Sequence, residues 1–348
     1  MSDDPDSGGD LQLLRGGHKR RVTLDDVAEL AGVSRMTASR AMNNAKYVSK
    51  DAHRRVWEAS EALGFVPHHG ARSLATNRAG SVALIAPMTD DRFFSDPNVA
   101  PVIAGANAAL SERGTQMVVL IAGNDSQIER IGSYVKAQHV DGAIVVSPEI
   151  IRPMIEAFVQ SELPIAGLST LGHKLGFDSV VVDSVSAVDA MVRLLVDAGC
   201  ANIGMVAGPI DGPATAEQIA AYTAVVGANR TVVEYGDFSE ASGRIAALRI
   251  FERAPHLDGI FAANDVMALG VLRALLEHGK RVPEDVRVGG FDDSSAARNA
   301  IPSLTTVAVP FEQMGRTMAE LVMERINDPS LPPRHIVLPT QVIRRESA

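Results

Sequence analysis

The sequence predicts a two-lobed α/β core of parallel, doubly wound sheets behind a small all-α helix-turn-helix head. Three observations carry this. Residues 22–43 read as short helices joined at a glycine, short apolar runs alternate with helical stretches from residue 82 onward, and charge divides sharply along the chain. The 348 residues carry a net charge of −9, which spread evenly would argue against a nucleic-acid partner. Between Arg15 and Gly80, however, twelve Lys/Arg stand against six Asp/Glu, whereas from Ser81 onward twenty-one stand against thirty-two. A basic head suits phosphate binding, and an acidic body repels DNA. The length allows two or three compact units and a sizeable core.

Residues 1–20 begin with an acidic stretch that lacks the apolar core of a secretion signal, and they read as a flexible tail. HKRR at 18–21 either adds phosphate contacts or is a solvated charged arm. Thr23 then caps a first helix, with Asp25 and Asp26 in the turn where the helix dipole favours negative charge. Leu24, Val27, Ala28 and Ala31 form its narrow apolar stripe. Gly32 ends it, Val33 plugs the corner, and Ser34 caps a second helix presenting Arg35, Met36, Thr37, Ser39 and Arg40. A helix so poor in apolar surface and so rich in donors makes sense as a DNA reader. Ser49 opens a third helix in which Ala52, Val56, Ala59 and Leu63 share a face, closed by Gly64. Such small apolar residues make a very small core, so the head is marginal alone. After Pro67 the chain is polar and glycine-containing except for Leu74.

Candidate strands follow at 82–86, 118–121, 143–146, 165–168, 180–182, 203–206, 232–235, 259–262 and 286–289. Repetition of strand and helix at this spacing means parallel sheets covered on both faces. About ten such units exceed one sheet, hence two lobes with a cleft between them. Cys200 is the sole cysteine, which excludes an internal disulfide, and no Cys/His cluster has metal-ligand spacing. No apolar run is long enough to cross a bilayer, so the chain is expected to be cytoplasmic, without a membrane partner. GxSxG, HExxH, P-loop and strand-linked GxGxxG motifs are missing, and no catalytic residue, metal or cofactor is expected.

The stretches VTLDDVAELAGVS, TASRAMN, VS and ALGFVPHHGARSLAT resemble the DNA-binding head and hinge of the LacI/GalR family of bacterial transcription regulators. The similarity continues through FAANDVMALGVLRALLEHGKRVPEDVRVGGFDDSS at 261–295 and PSLTTVAVPFEQMG at 302–315. It implies a periplasmic-binding-protein-like core and a division into a head at 21–66 and a hinge at 67–80. One lobe would take 81–182 with 309–337, the other 183–308 with 338–348. It further implies a regulator, most often a repressor, that binds a palindromic operator as a homodimer under control of a small, sugar-like effector. Chain crossings between lobes would act as the hinge of the cleft. No leucine heptads follow the core, so a dimer is expected rather than a tetramer.

By the same resemblance Arg35 and Met36 occupy the base-reading positions, with Arg40 a third reader. Arg35 would donate to guanine O6 and N7, and Met36 would meet a thymine methyl. Thr23, Ser34, Thr37, Ser39, Asn43, Tyr47, Ser49 and Lys50 would contact phosphates or flanking bases. Ala71 and Arg72 would line the minor groove while Leu74 wedges between bases, or else Leu74 packs on the core. Gly70, with its low helix propensity, makes that hinge helix more dependent on DNA. In the cleft, Asn264 and Asp292 match effector-binding positions, whereas Asp265 and Asp293 are expected to hold loops. Phe93 or Phe94 either stacks on a ligand ring or packs in the core. Ser169 and Gln218 are further polar candidates. Ala216 stands where relatives place an effector-clamping arginine, and Val146 and Val309 replace common polar residues. A carboxylate or phosphate effector is hard to hold without that arginine, which favours a neutral sugar or another small molecule. The core alone would also fit a solute-binding transport protein, against which the basic head argues.

Overall fold

The structure, a computed structural model, describes residues 22–42, 48–65, 78–212 and 214–348. The expected tail and HKRR, Asn43, Tyr47, and the hinge positions Gly70, Ala71, Arg72 and Leu74 lie outside the described residues. The chain divides into two compact units, with the boundary between Ala79 and Gly80.

In the head, α1 (Leu24–Ala31), α2 (Arg35–Met42) and α3 (Lys50–Leu63) enclose Val27, Ala28, Ala31, Ala38, Ala41, Val56 and Ala59. Leu24, Val33, Leu63 and Phe65 pack around these buried side chains. Gly32 has φ 61° and ψ 41°, a left-handed corner that a residue without Cβ adopts at little cost. Gly64 ends α3 in the same way.

In the core the order is β1 (Ser81–Ala86), α4 (Asp90–Ser95), α5 (Val99–Ser111), β2 (Gln116–Ile121), α6 (Asp125–Lys136), β3 (Gly142–Val146), α7 (Arg152–Gln160), β4 (Ile165–Leu168), α8 (Leu171–Leu175) and β5 (Asp178–Val182). There follow α9 (Ser184–Asp197), β6 (Ile203–Ala207), α10 (Thr215–Val226), β7 (Val233–Tyr235), α11 (Glu240–Arg253), β8 (Gly259–Ala262), α12 (Asp265–Glu277), β9 (Arg287–Gly289), α13 (Ser295–Asn299) and β10 (Thr306–Ala308). The chain ends with α14 (Phe311–Asn327), β11 (His335–Leu338) and β12 (Gln341–Ile343).

One lobe holds a six-stranded sheet in the order β11-β5-β4-β3-β1-β2, parallel throughout. The other holds β7-β6-β8-β9, also parallel. Alternation along the strands explains the layering. Val82 and Leu84 face one cluster with α5 and α14, while Ala83 and Ile85 face another with α6 and α7. In the second lobe Val206 and Ala262 pack towards α11 and α12, and Met205 and Phe261 towards α9 and α10. The chain passes between the sheets after β5, after β10 and after β11. The first passage leads to α9, and at the other two β10 and β12 pair antiparallel.

All nine expected strands form, with ends shifted by a residue or two, and β10, β11 and β12 are additional. Glycines set the helix spacing in both lobes. A Cβ on Gly105 would lie 1.8 Å from the Glu312 carbonyl oxygen, and one on Gly315 would lie 2.1 Å from that of Val102. The second lobe repeats the device: a Cβ on Gly243 would lie 2.2 Å from the Met267 oxygen, and one on Gly270 would lie 2.0 Å from that of Glu240. Each lobe therefore has one helix pair in backbone-to-backbone contact. Among the described residues no helix is long and apolar enough to cross a membrane.

Candidate nucleic-acid interface and ligand cleft

The head positions α2 through caps. The Thr23 hydroxyl and amide both donate to Asp26 Oδ2 at 2.7 Å, and the Asp26 amide returns a bond to Thr23 Oγ1 at 3.4 Å. This closes the N-terminus of α1. Ser34 Oγ accepts the Thr37 amide at 3.1 Å and meets the Thr37 hydroxyl at 2.9 Å, which starts α2. Ser49 caps α3 through the Ala52 amide. Thr23, Ser34 and Ser49 thus have structural duties in the free head besides any contact with phosphate. Arg35, Met36 and Arg40 are exposed, Lys50 as well, and Ser39 is half-buried. Arg35 Nε lies 3.4 Å from Asp25 Oδ1. α2 buries only Ala38 and Ala41, packs Met42 against the head core, and turns Arg35, Met36 and Arg40 outward.

The second site lies between the two sheets of the core. A hollow of about 440 Å³ opens at the C-terminal ends of the parallel strands. Ser147 follows β3, Ser169 and Thr170 follow β4, Asp183 follows β5, Ala263 follows β8, and Phe291 and Asp292 follow β9. Ligands in open α/β sheets bind at such ends, because the loops there are free to vary. Gln218 and Glu217 enter from α10, Phe238 from the loop after β7, Val309 from the passage between β10 and α14, and Phe311 from the first turn of α14. Among the described lining residues none is Lys, Arg or His.

Asp292 is the most constrained group of the hollow. It has φ 112° and its neighbour Asp293 has φ 57°, both left-handed values that strain a residue with a Cβ. Its Oδ2 accepts from Asn98 Nδ2 of the other lobe at 2.7 Å. Removal from solvent raises its pKa well above the usual carboxylate value, Asp265 and Asp96 add to this, and the Asn98 amide opposes it. Asp265 lies fully buried behind it. There it accepts from the Thr306 hydroxyl at 2.6 Å and the Ser294 amide at 2.7 Å. Burial pushes its pKa up to about 6 against those two bonds. Asp293 is held by Arg345 at 2.6 Å and Arg298 at 3.1 Å. Asp265 and Asp293 therefore fix the loop that presents Asp292.

Of the six expected effector residues, Ser169, Gln218 and Asp292 line the hollow. The other three do not. Phe93 is buried with Ala86 and Val99, and Phe94, edge-on to Phe93, is 78% exposed. Asn264 caps α12 through the Met267 amide at 2.9 Å, and its Nδ2 donates to the Phe238 carbonyl at 3.3 Å. Both ends of that amide are engaged, so Asn264 acts on the hollow by holding the Phe238 loop. Phe238, Phe291 and Phe311 were not foreseen. Phe291 stands just past a predicted strand and Phe238 a few residues past one, which is the signal that could have found them.

Among the described residues, a head of three helices with an exposed α2, followed by a two-lobed α/β core with a central hollow, fits a ligand-responsive DNA-binding regulator. Comparison with known proteins agrees. Residues 23–68 match the model of bacterial regulatory proteins, lacI family, and residues 192–348 match a periplasmic binding protein-like domain. The HTH-type transcriptional regulator CelR of Thermobifida fusca is 38% identical, covering 94% of this chain and 99% of its own. The HTH-type transcriptional repressor PurR of Escherichia coli O139:H28 is 28% identical, with coverage of 94% and 96%. Among solved structures, a CelR–cellobiose complex aligns with TM-score 0.71 at 36% identity, over 94% of this chain and all of the other. The lac repressor dimer bound to operator and the anti-inducer ONPF aligns with TM-score 0.81 at 25% identity, over 94% and 99%. The chain belongs to the LacI family. It is a DNA-binding transcriptional regulator and not an enzyme or a transport protein.

Proposed function

We propose that this regulator binds a palindromic operator as a homodimer through α2 and the 67–80 segment, usually to repress, and that a neutral sugar in the core hollow sets its DNA affinity. The composition of the hollow carries the second half of this reading. Phe238, Phe291 and Phe311 offer ring faces for the C–H face of a pyranose, and Asp292, Asp183, Ser169 and Gln218 offer partners for hydroxyls. A ligand carboxylate or phosphate would meet Asp183, Glu217 and Asp292 with no cation among the described lining residues. Cellobiose, found with the related CelR, is the first compound to try.

Arg35, Met36 and Arg40 read bases in the major groove, and Thr37, Ser39, Ser49 and Lys50 hold the backbone. The proposed boundaries are those of the sequence: head 21–66, hinge 67–80, and lobes at 81–182 with 309–337 and at 183–308 with 338–348. Leu74 in the hinge wedges into the minor groove. Selection of bound sequences from random duplexes, followed by titration of the complex with cellobiose, other neutral sugars and sugar phosphates, tests both halves. A palindromic consensus whose affinity changes with a neutral sugar is expected. Failure to enrich any palindrome would remove the first half, and a response confined to sugar phosphates would remove the second.

A further inference from the structure

Two side chains of the six-stranded lobe touch ligand-facing groups of the opposite lobe. Asn98 Nδ2, at the start of α5, donates to Asp292 Oδ2 at 2.7 Å. The Arg92 guanidinium, on α4, lies 5.6 Å from the centre of the Phe238 ring. Asp292 and Phe238 both line the hollow, and Asp292 also borders a second depression on the Asn98 side. The stretch 92–98 therefore reaches across the cleft twice, to an acidic and to an aromatic member of the same site. A carboxylate has two oxygens and several lone pairs, so a bond from Asn98 to Oδ2 leaves Oδ1 available to a donor in the hollow.

We propose that Asn98 is a positioning residue of the cleft: it fixes the Asp292 carboxylate from the opposite lobe, so that lobe closure and the capture of a ligand hydroxyl share one acceptor. The inference rests on the hollow being the ligand site. Its consequence is that a polyol whose hydroxyl bonds Asp292 binds the closed arrangement better than the open one, and a ligand shifts that equilibrium only by this difference. The unusual backbone at Asp292 and Asp293 fits this part, since the loop around Asp292 is held by Arg298, Arg345 and Asp265 while its acidic tip meets the other lobe.

A double-mutant cycle in the full-length protein tests this. Spin labels at Lys136→Cys and Glu252→Cys, exposed positions on opposite lobes, report the cross-cleft distance by electron–electron resonance without any ligand. Asn98→Ala should lengthen or broaden that distribution, and should add nothing in an Asp292→Ala background. Cellobiose titration of the same proteins should show about tenfold weaker binding for Asn98→Ala, and no additional loss from it once Asp292 is removed. An unchanged distribution in Asn98→Ala, or the same extra change with Asp292 already absent, would overturn the proposal. Failure of the unmutated protein to bind cellobiose counts against the sugar reading alone, because the distance cycle still decides the role of Asn98.

Discussion

Arg35 and Asp25 meet at 3.4 Å with both side chains largely in solvent, 72% and 63% exposed. An exposed pair of this kind contributes about 0–1 kcal/mol, so the free head holds Arg35 loosely and the proposed base contact would release it at little cost. Arg35→Ala should reduce affinity for the selected operator by about 1–3 kcal/mol while barely changing binding to scrambled duplex. Fluorescence anisotropy on both duplexes checks this, and equal losses would assign Arg35 to phosphate. Asp265 gives a pH signature. Its folded pKa of about 6 lies above the ordinary 3.8, so the folded state binds more protons between those values. Its contribution to stability is full below about pH 4 and is lost as pH rises through about 6. Denaturant unfolding of the wild type minus Asp265→Asn should therefore decline across that window; a flat difference would contradict the burial argument. Resemblance pointed to Asp292, Ser169 and Gln218, which line the hollow from the loops after β9 and β4 and from α10. It misplaced Asn264 because a cap and a ligand contact use the same amide. Phe238 escaped because its position depends on a loop held by that very cap.

At the scale of elements, the reciprocal glycines govern how closely helices approach. Gly270→Ala would drive a methyl to 2.0 Å from the Glu240 carbonyl oxygen, where a backbone atom of the facing helix has nowhere to go. The helices must separate, and a loss of about 1–3 kcal/mol or more is expected in denaturant unfolding. Gly132 is the contrast. It lies within α6, and the nearest atom to a Cβ there is the Met154 sulfur at 3.5 Å, an ordinary contact. Gly132→Ala should stabilise the core by about 0.5–1 kcal/mol. Matching effects for the two substitutions would show that helix propensity rather than approach distance controls both. Of the nine expected strands, β1, β3, β4, β6 and β8 were legible because each buries a nearly continuous run such as 81–86, whereas β2 and β7 bury no residue fully and were legible only as apolar runs in the sequence. β10 and β12 span three residues, and β11 and β12 are partly exposed. Such segments carry no period of their own. They become strands because the neighbouring chain supplies partners, as His335–Leu338 finds β5 and Gln341–Ile343 finds β10.

For the whole molecule, the uneven charge sets how DNA binding responds to salt. The surplus of six cations between Arg15 and Gly80 is the charge that the proposed operator contact would offer phosphate, while the acidic remainder adds nothing attractive. Operator affinity should fall steeply and linearly on logarithmic axes as salt rises, because each neutralised phosphate releases counterions. A shallow dependence would mean that the basic segment does not contact the backbone. Ligand control imposes a stricter relation. If a sugar in the hollow changes operator affinity by some factor, the operator must change sugar affinity by the same factor, since both are set by one coupling free energy. Factors of about 5–150 are typical for such coupling. Measuring cellobiose binding with and without saturating operator, and operator binding with and without saturating cellobiose, yields two independent estimates. Agreement is required if a single closed-to-open equilibrium links the cleft to the head. A sugar that binds tightly yet leaves both quantities unchanged would have equal affinity for the two arrangements, and the hollow would then be a binding site without control over transcription.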